Sequence, residues 1–284
     1  MTVPTHSGAS TLANTLSALL AMSRKELTIM LRYPVEFVAS FGQIFLIVVV
    51  FTLAGLMFAP GGTAAAGETR YSGVVVYGFI LFLFVSDTLW SIGYNLRREQ
   101  KQGTLEQLYL SPASKFASLV SRVAVTLVWV GLLSAAAAWL MSAMLGRLPF
   151  ANLPLGVFIL VMGLAGTFGA GFAFAAITLR VRETAQMLVN LLQFAFMVLC
   201  APFFPFSALP AGLQAVSRLI PLSYVVDAFR STLMGYPPGF PELAPMGVEV
   251  VIVAAFGLLM PLAGYWLYRR EEDRARLAGT LSEY

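Results

Sequence analysis

Cysteine and histidine are almost absent: the chain has one of each, Cys200 and His6. A single cysteine excludes an internal disulfide and a cysteine-based metal site. Cys200 stands in an apolar run and reads as a small buried or lipid-facing hydrophobe. His6 lies in a polar N-terminal tail, solvated, with no second imidazole to share a metal. Charge is scarce as well, at 11% of residues against about 25% in soluble domains. Lys and Arg outnumber Asp and Glu by 18 to 14, but the basic residues are scattered through short segments. They form no tract that would fit nucleic acid. The opening MTVPTHSGAS has no basic stretch leading directly into an apolar core, so no cleavable signal peptide is expected.

What the chain has instead is apolar length. Of its 284 residues, 58% are hydrophobic, and the mean hydropathy is +0.80. One soluble core has no room for so much apolar surface, and lipid is its natural solvent. Six stretches approach the roughly 20 residues that a spanning helix needs. They run from about Glu36 to Phe58, Ser72 to Tyr94, Phe116 to Leu145, Pro154 to Leu179, Ala185 to Phe204 and Met246 to Tyr268. The expected fold is therefore an all-α integral membrane protein of six transmembrane helices. A tail with an interfacial helix (1–35) precedes the membrane domain (36–268), and a second tail (269–284) follows it.

The basic residues orient this layout. One side carries Arg24, Lys25, Arg32, Arg97, Arg98, Lys101, Lys115, Arg122, Arg180, Arg182, Arg269, Arg270, Arg274 and Arg276, fourteen in all; the other carries Arg70, Arg147, Arg218 and Arg230. The excess places both termini in the cytoplasm.

Two segments are neither spans nor simple loops. In Thr11–Tyr33, Leu12, Leu16, Leu19, Leu20, Leu27, Met30 and Leu31 share one helical face. Asn14, Ser17, Arg24, Lys25, Thr28 and Arg32 share the other, as in a helix lying in the cytoplasmic interface. Pro34 ends it. The second segment, 206–239, is moderately apolar but interrupted by Pro210, Pro221, Arg218, Asp227 and Arg230. Two short helices are expected, one after each proline. They form an external hairpin that dips into the outer leaflet or caps the outer mouth.

The loop between the second and third spans, 96–115, reads LRREQKQGTLEQLYLSPASK. Thr104–Leu110 suits a short helix, with Thr104 as N-cap and Glu106 near its positive end. Ser111-Pro112 stops it. Leu105, Leu108 and Tyr109 make an apolar face at the tip of a cytoplasmic loop. That face wants either a protein partner or its own bundle.

This loop resembles the signature of ABC-2 type transporter permeases, through Arg98, Glu99, Gly103, Thr104, Leu105, Glu106, Gln107, Leu108, Ser111 and Pro112. The second half is similar to that family through Pro202, Phe203, Pro205, Leu209, Pro210, Pro221, Leu222, Ser223, Tyr224, Asp227 and Arg230. The resemblance covers nearly the whole chain. It implies a permease subunit in a bacterial cytoplasmic membrane that pairs with a second permease chain, a copy of itself or a paralogue. It also implies two separate ATPase subunits that hold ATP and Mg. The segment from Gly103 to Ser111, Tyr109 included, would be the coupling helix that enters a groove on the ATPase, and the N-terminal interfacial helix would brace that contact. The substrate class implied is amphipathic or apolar: a drug, a lipid or a lipid-linked glycan.

Other features of the sequence bear on this reading. Gly62-Thr-Ala-Ala-Ala-Gly67-Glu68-Thr69 mimics a phosphate loop but places Glu68 where the lysine must be. No cofactor is therefore expected on this chain. Charged residues inside spans are functional candidates by default. Asp87 suits either substrate contact or a structural hydrogen bond. Arg122 suits snorkelling to the cytoplasmic interface, and Glu249 suits an outer interfacial site. Phe194, Phe196, Phe203, Phe204 and Phe206 could line an apolar path, although packing is the commoner use of such residues. Ala135–Ala138 and Gly163, Gly166, Gly169 and Gly171 point to close helix packing. No paired carboxylates or histidine base suggest an enzyme. A secondary transporter would show ionisable groups near the midplane, and only Asp87 fits.

Overall fold

The computed structural model describes residues 73–89, 149–180 and 185–277 continuously, together with separate positions between 24 and 50 and between 128 and 140. Every regular element among the described residues is helical. We number them α1 (Gly73–Leu89) and α2 (Val130–Leu140, described in part), then α3 (Leu153–Arg180), α4 (Ala185–Leu199), α5 (Ala211–Ser217), α6 (Pro221–Met234) and α7 (Met246–Leu277). A single 3₁₀ turn, Phe206–Ala208, lies between α4 and α5.

Two of these, over Leu153–Phe174 and Met246–Glu271, are long and apolar enough to cross a membrane. α3 opens with Asn152, whose side-chain oxygen accepts from the Leu155 N–H at 3.4 Å, and Pro154 sits in its first turn, where a missing N–H costs nothing. Half of its most apolar stretch is buried inside the chain, against 17% for that of α7. α3 is thus interior and α7 peripheral. The two backbones nearly touch. A Cβ on Gly264 would lie 2.0 Å from the Gly169 carbonyl oxygen, and one on Gly169 would lie 2.3 Å from the Pro261 nitrogen. Only glycine permits that approach.

α1 is the hub. Val74, Val75, Val76, Tyr77, Phe79 and Leu81 are buried in almost unbroken succession, the pattern of a helix apolar on all sides and surrounded on all sides. Its neighbours in the core are Ile159 and Leu164 of α3, Phe196 of α4, Val225, Val226, Phe229 and Leu233 of α6, and Val253 of α7. α1 also meets the turn after α4 closely: a Cβ on Gly78 would overlap the Pro202 carbonyl at 1.6 Å.

The helices after Pro210 and Pro221 begin where those prolines predict, with Pro221 in the first turn of α6. α6 is enclosed by the chain: Ser223 and every residue from Val225 to Leu233 are buried. Gly163 and Gly156 of α3 make the room, facing Val225 and Leu233 with no side chain of their own. α5, in contrast, leaves Leu213 and Val216 exposed, with Leu219 just beyond it 82% exposed.

The outer faces of the long helices are apolar. Val157, Phe158 and Val161 on α3, Met187, Leu191, Phe194 and Val198 on α4, and Val251, Leu258, Leu259, Leu262 and Trp266 on α7 all face outward. The α4 residues recur at helical spacing, so one whole stripe of that helix is left uncovered by the described residues. Arg24, Thr28 and Arg32 are helical and exposed, with the Thr28 hydroxyl donating to the Arg24 carbonyl at 2.7 Å. The apolar face expected opposite them lies outside the described residues.

Candidate functional site

The densest polar constellation among the described residues lies where α6 meets the turn after α4 and the loop leading into α7. Arg230 is the largest fully buried side chain among the described residues. Burial of so long a cation requires that its five N–H groups find acceptors. Its Nε reaches Asp227 Oδ1 at 3.3 Å, one helical turn back. Nη1 donates to the carbonyls of Ala201 at 3.3 Å and Phe204 at 3.0 Å. Nη2 reaches Glu242 Oε1 at 3.4 Å. The guanidinium also lies over the rings of Phe206 and Phe240, with Cζ 4.9 and 5.2 Å from their centroids. Ala201 takes a left-handed conformation, φ 47°, a strained turn for a residue with a Cβ. The turn ends α4 and brings the Ala201 carbonyl within reach of Arg230.

The carboxylates tie down the loop. Asp227 Oδ2 accepts from the backbone N–H groups of Glu242 at 2.6 Å and Leu243 at 2.8 Å. Glu242 Oε2 accepts from the Ser207 N–H at 2.7 Å, so this side chain bridges the 3₁₀ turn and Arg230. Burial pushes the Glu242 carboxyl above its usual range; the Ser207 N–H and Arg230 pull the other way. Glu249, in the first turn of α7, accepts from the Ala244 N–H at 3.2 Å through Oε1. Its Oε2 has no hydrogen-bond partner among the described residues. The Glu249 side chain is fully buried within the chain, in the first turn of the span.

The pathway candidates divide. Phe196 and Phe203 are buried and converge on α1. Phe196 stacks on Phe82 at 5.7 Å with the rings parallel to within 2°, and Phe203 lies 5.2 Å from Phe82 and 6.1 Å from Phe79. Phe204 packs at the edge of the same core. Phe194 points outward, 63% exposed, and shares no site with them. Asp87 is half-buried near the end of α1. Gln193 of α4 donates to Ser86 of α1 at 2.7 Å, a polar link across an otherwise apolar seam. Pro210 and Pro221 start their helices as described. Tyr224 donates its hydroxyl to the Arg218 carbonyl at 2.9 Å. The coupling residues Arg98, Glu99, Gly103, Thr104, Leu105, Glu106, Leu108 and Tyr109, together with Arg122, lie outside the described residues.

Glu242, Ser86, Gln193 and Phe82 were missed by sequence reasoning. Glu242 carried a faint signal as a carboxylate held between Pro241 and Pro245 in an otherwise apolar stretch. The others carried none.

Residues 63–266 match the family model described as ABC-2 family transporter protein. The chain belongs to that family. It is an integral membrane protein, the membrane domain of an ABC transporter permease, and its family is one of transport subunits. No curated protein matches it significantly. The match takes in both the α1 hub and the α6 cluster, so the buried charges sit inside the ABC-2 domain and not on an appendage.

Proposed function

We propose that this chain is the permease subunit of a bacterial ABC exporter. It would move an amphipathic or apolar substrate out across the cytoplasmic membrane. Two such chains, identical or paralogous, form the pathway, and two separate ATPase subunits bind ATP and Mg. Six spans carry both termini on the cytoplasmic side, as the basic-residue split favours. The observation that carries this reading is the family match over residues 63–266, which includes the 96–115 loop. The one phosphate-loop-like stretch in the sequence, Gly62 to Thr69, lacks the lysine, which supports an ATPase on a partner.

In this reading Leu105, Leu108 and Tyr109 anchor the coupling helix in the ATPase, since apolar and aromatic groups dominate such contacts. Closure of the ATPases drives the helix and switches the dimer. The Arg230 cluster holds α6 and its loop as one body at the outer end of the bundle. The test is the double substitution Leu105→Ser with Leu108→Ser in the complex. Loss of one anchor costs about 2 kcal/mol, about thirtyfold in affinity. ATPase pull-down and transport-linked hydrolysis should both fail while membrane insertion is unchanged. Assembly and turnover at wild-type levels would remove the coupling role from this loop.

A further inference from the structure

We infer that the C-terminal end of α7 carries a binding site for the headgroup phosphate of an anionic phospholipid, made by Arg269 and Arg270 with Tyr265 and Trp266. The inference rests on reading α7 as a span. Met246 and Trp266 stand 20 positions apart, about 30 Å of helix at 1.5 Å per residue, which equals the hydrocarbon thickness of a bilayer. Trp266 therefore comes to the headgroup boundary, where amphipathic rings are enriched. Val251, Leu258 and Leu259, Leu262 and Trp266 follow one another along the outward face of α7, each 58% exposed or more. The next positions on that face are Arg269 and Arg270, both exposed.

The two guanidiniums do not project freely into water. Arg269 lies over the Tyr265 ring, Cζ 5.1 Å from its centroid, and Arg270 over the Trp266 ring at 5.3 Å. Each stacks on the residue four positions earlier, so each is drawn back along the helix toward the membrane. Their flat faces are covered by rings, and their N–H edges are left to meet an anion in the forked geometry that suits phosphate. Arg274, one turn further on, is engaged by Glu271 at 2.5 Å and adds nothing to this charge. The occupant is thus a lipid and not a second copy of the chain: an aliphatic face one hydrocarbon thickness long that ends in two ring-backed cations matches an acyl chain ending in a phosphate.

The test uses the full chain in phosphatidylcholine vesicles. A minor fraction of the lipid is either brominated phosphatidylglycerol or brominated phosphatidylcholine. Trp266 emission, taken as the difference between each protein and its Trp266→Phe counterpart, reports which lipid is in contact. The wild type should favour phosphatidylglycerol about tenfold or more, given the attraction of two arginines near an anionic surface. Arg269→Gln with Arg270→Gln should lose the preference while both lipids still quench. Equal quenching of the wild type by both lipids would overturn the site and leave α7 as a lipid-facing span. Quenching by neither would show the face covered by protein, and both the site and the lipid-facing reading of α7 would fall. Loss of the preference on adding inorganic phosphate at matched ionic strength would assign the arginines to soluble phosphate and likewise overturn the lipid site.

Discussion

Replacing Arg230 with methionine is the most informative single perturbation of the bundle. Methionine fills much of the same volume without charge. The substitution strands Asp227 and Glu242, each losing the cation within 3.3 and 3.4 Å. It also removes the donor from two carbonyls, Ala201 and Phe204. Both partners of the Asp227 pair are fully buried, so water cannot take over. Breaking a buried pair by deleting one member costs about 3–5 kcal/mol, most of it the penalty of the charge left behind. The apparent melting temperature of the purified protein in detergent should fall by about 6–20 °C. The control is the double substitution Arg230→Met with Asp227→Asn. It removes the stranded charge and should recover about 2 kcal/mol or more of the loss, a coupling that a double-mutant cycle isolates. Arg230→Lys should fall between wild type and methionine, because one ammonium cannot serve acceptors on three segments. If Arg230→Met melts within about 1 °C of wild type, or if the two substitutions add without coupling, the cluster does not hold the loop and the reasoning fails.

Glu242 gives a pH-dependent prediction. Its carboxyl is raised above the ordinary value of 4.5 in the folded chain, so the folded state binds the proton more tightly than the unfolded state. Its contribution to stability is full below pH 4.5 and is lost as pH rises through the raised value. Melting curves of wild type and Glu242→Gln taken across acid to neutral pH should diverge in that window, with the glutamine variant lacking this part of the decline. Parallel curves would mean that burial does not control this group. The proposed topology makes a third prediction: with Cys200 replaced, a cysteine at Thr63 or Pro238 should react with an impermeant thiol reagent in whole cells, and one at Ser282 should not. Labelling at Ser282 from outside would overturn the orientation.

The parts of the fold that were legible in the sequence are those governed by local length and local sterics. Leu153–Phe174 and Met246–Glu271 announce themselves because an apolar run of that length has few other uses. Pro210 and Pro221 fix the starts of α5 and α6 because a missing N–H is harmless only in a first turn. The candidate site was half legible. Asp227 and Arg230 stand three residues apart on one helix and could be read as a unit. Their partner Glu242 could not, since it is brought in by the path of the 235–245 loop, and no periodicity encodes that path. The same holds for Ser86 and Gln193, which are 107 positions apart. The burial of Glu249 was not legible for a related reason: the Ala244 N–H that meets its carboxyl is brought there by the preceding loop.

The buried Arg230 also bears on how the chain enters the membrane. A segment with Asp227 and Arg230 at its middle is costly to release into lipid alone, at about 2.5–3.5 kcal/mol for each charge at a helix centre. The acceptors Ala201 and Phe204 precede α6 in the chain and leave the ribosome before it. Glu242 and the backbone N–H groups that satisfy Asp227 follow it. α6 therefore reaches its place with half its partners still unmade, and it must wait in a polar setting, against water or the insertion machinery, until the loop and the first turn of α7 emerge. Seating of α6 is then a late step in biogenesis, coupled to the arrival of α7 and not to the synthesis of α6 itself.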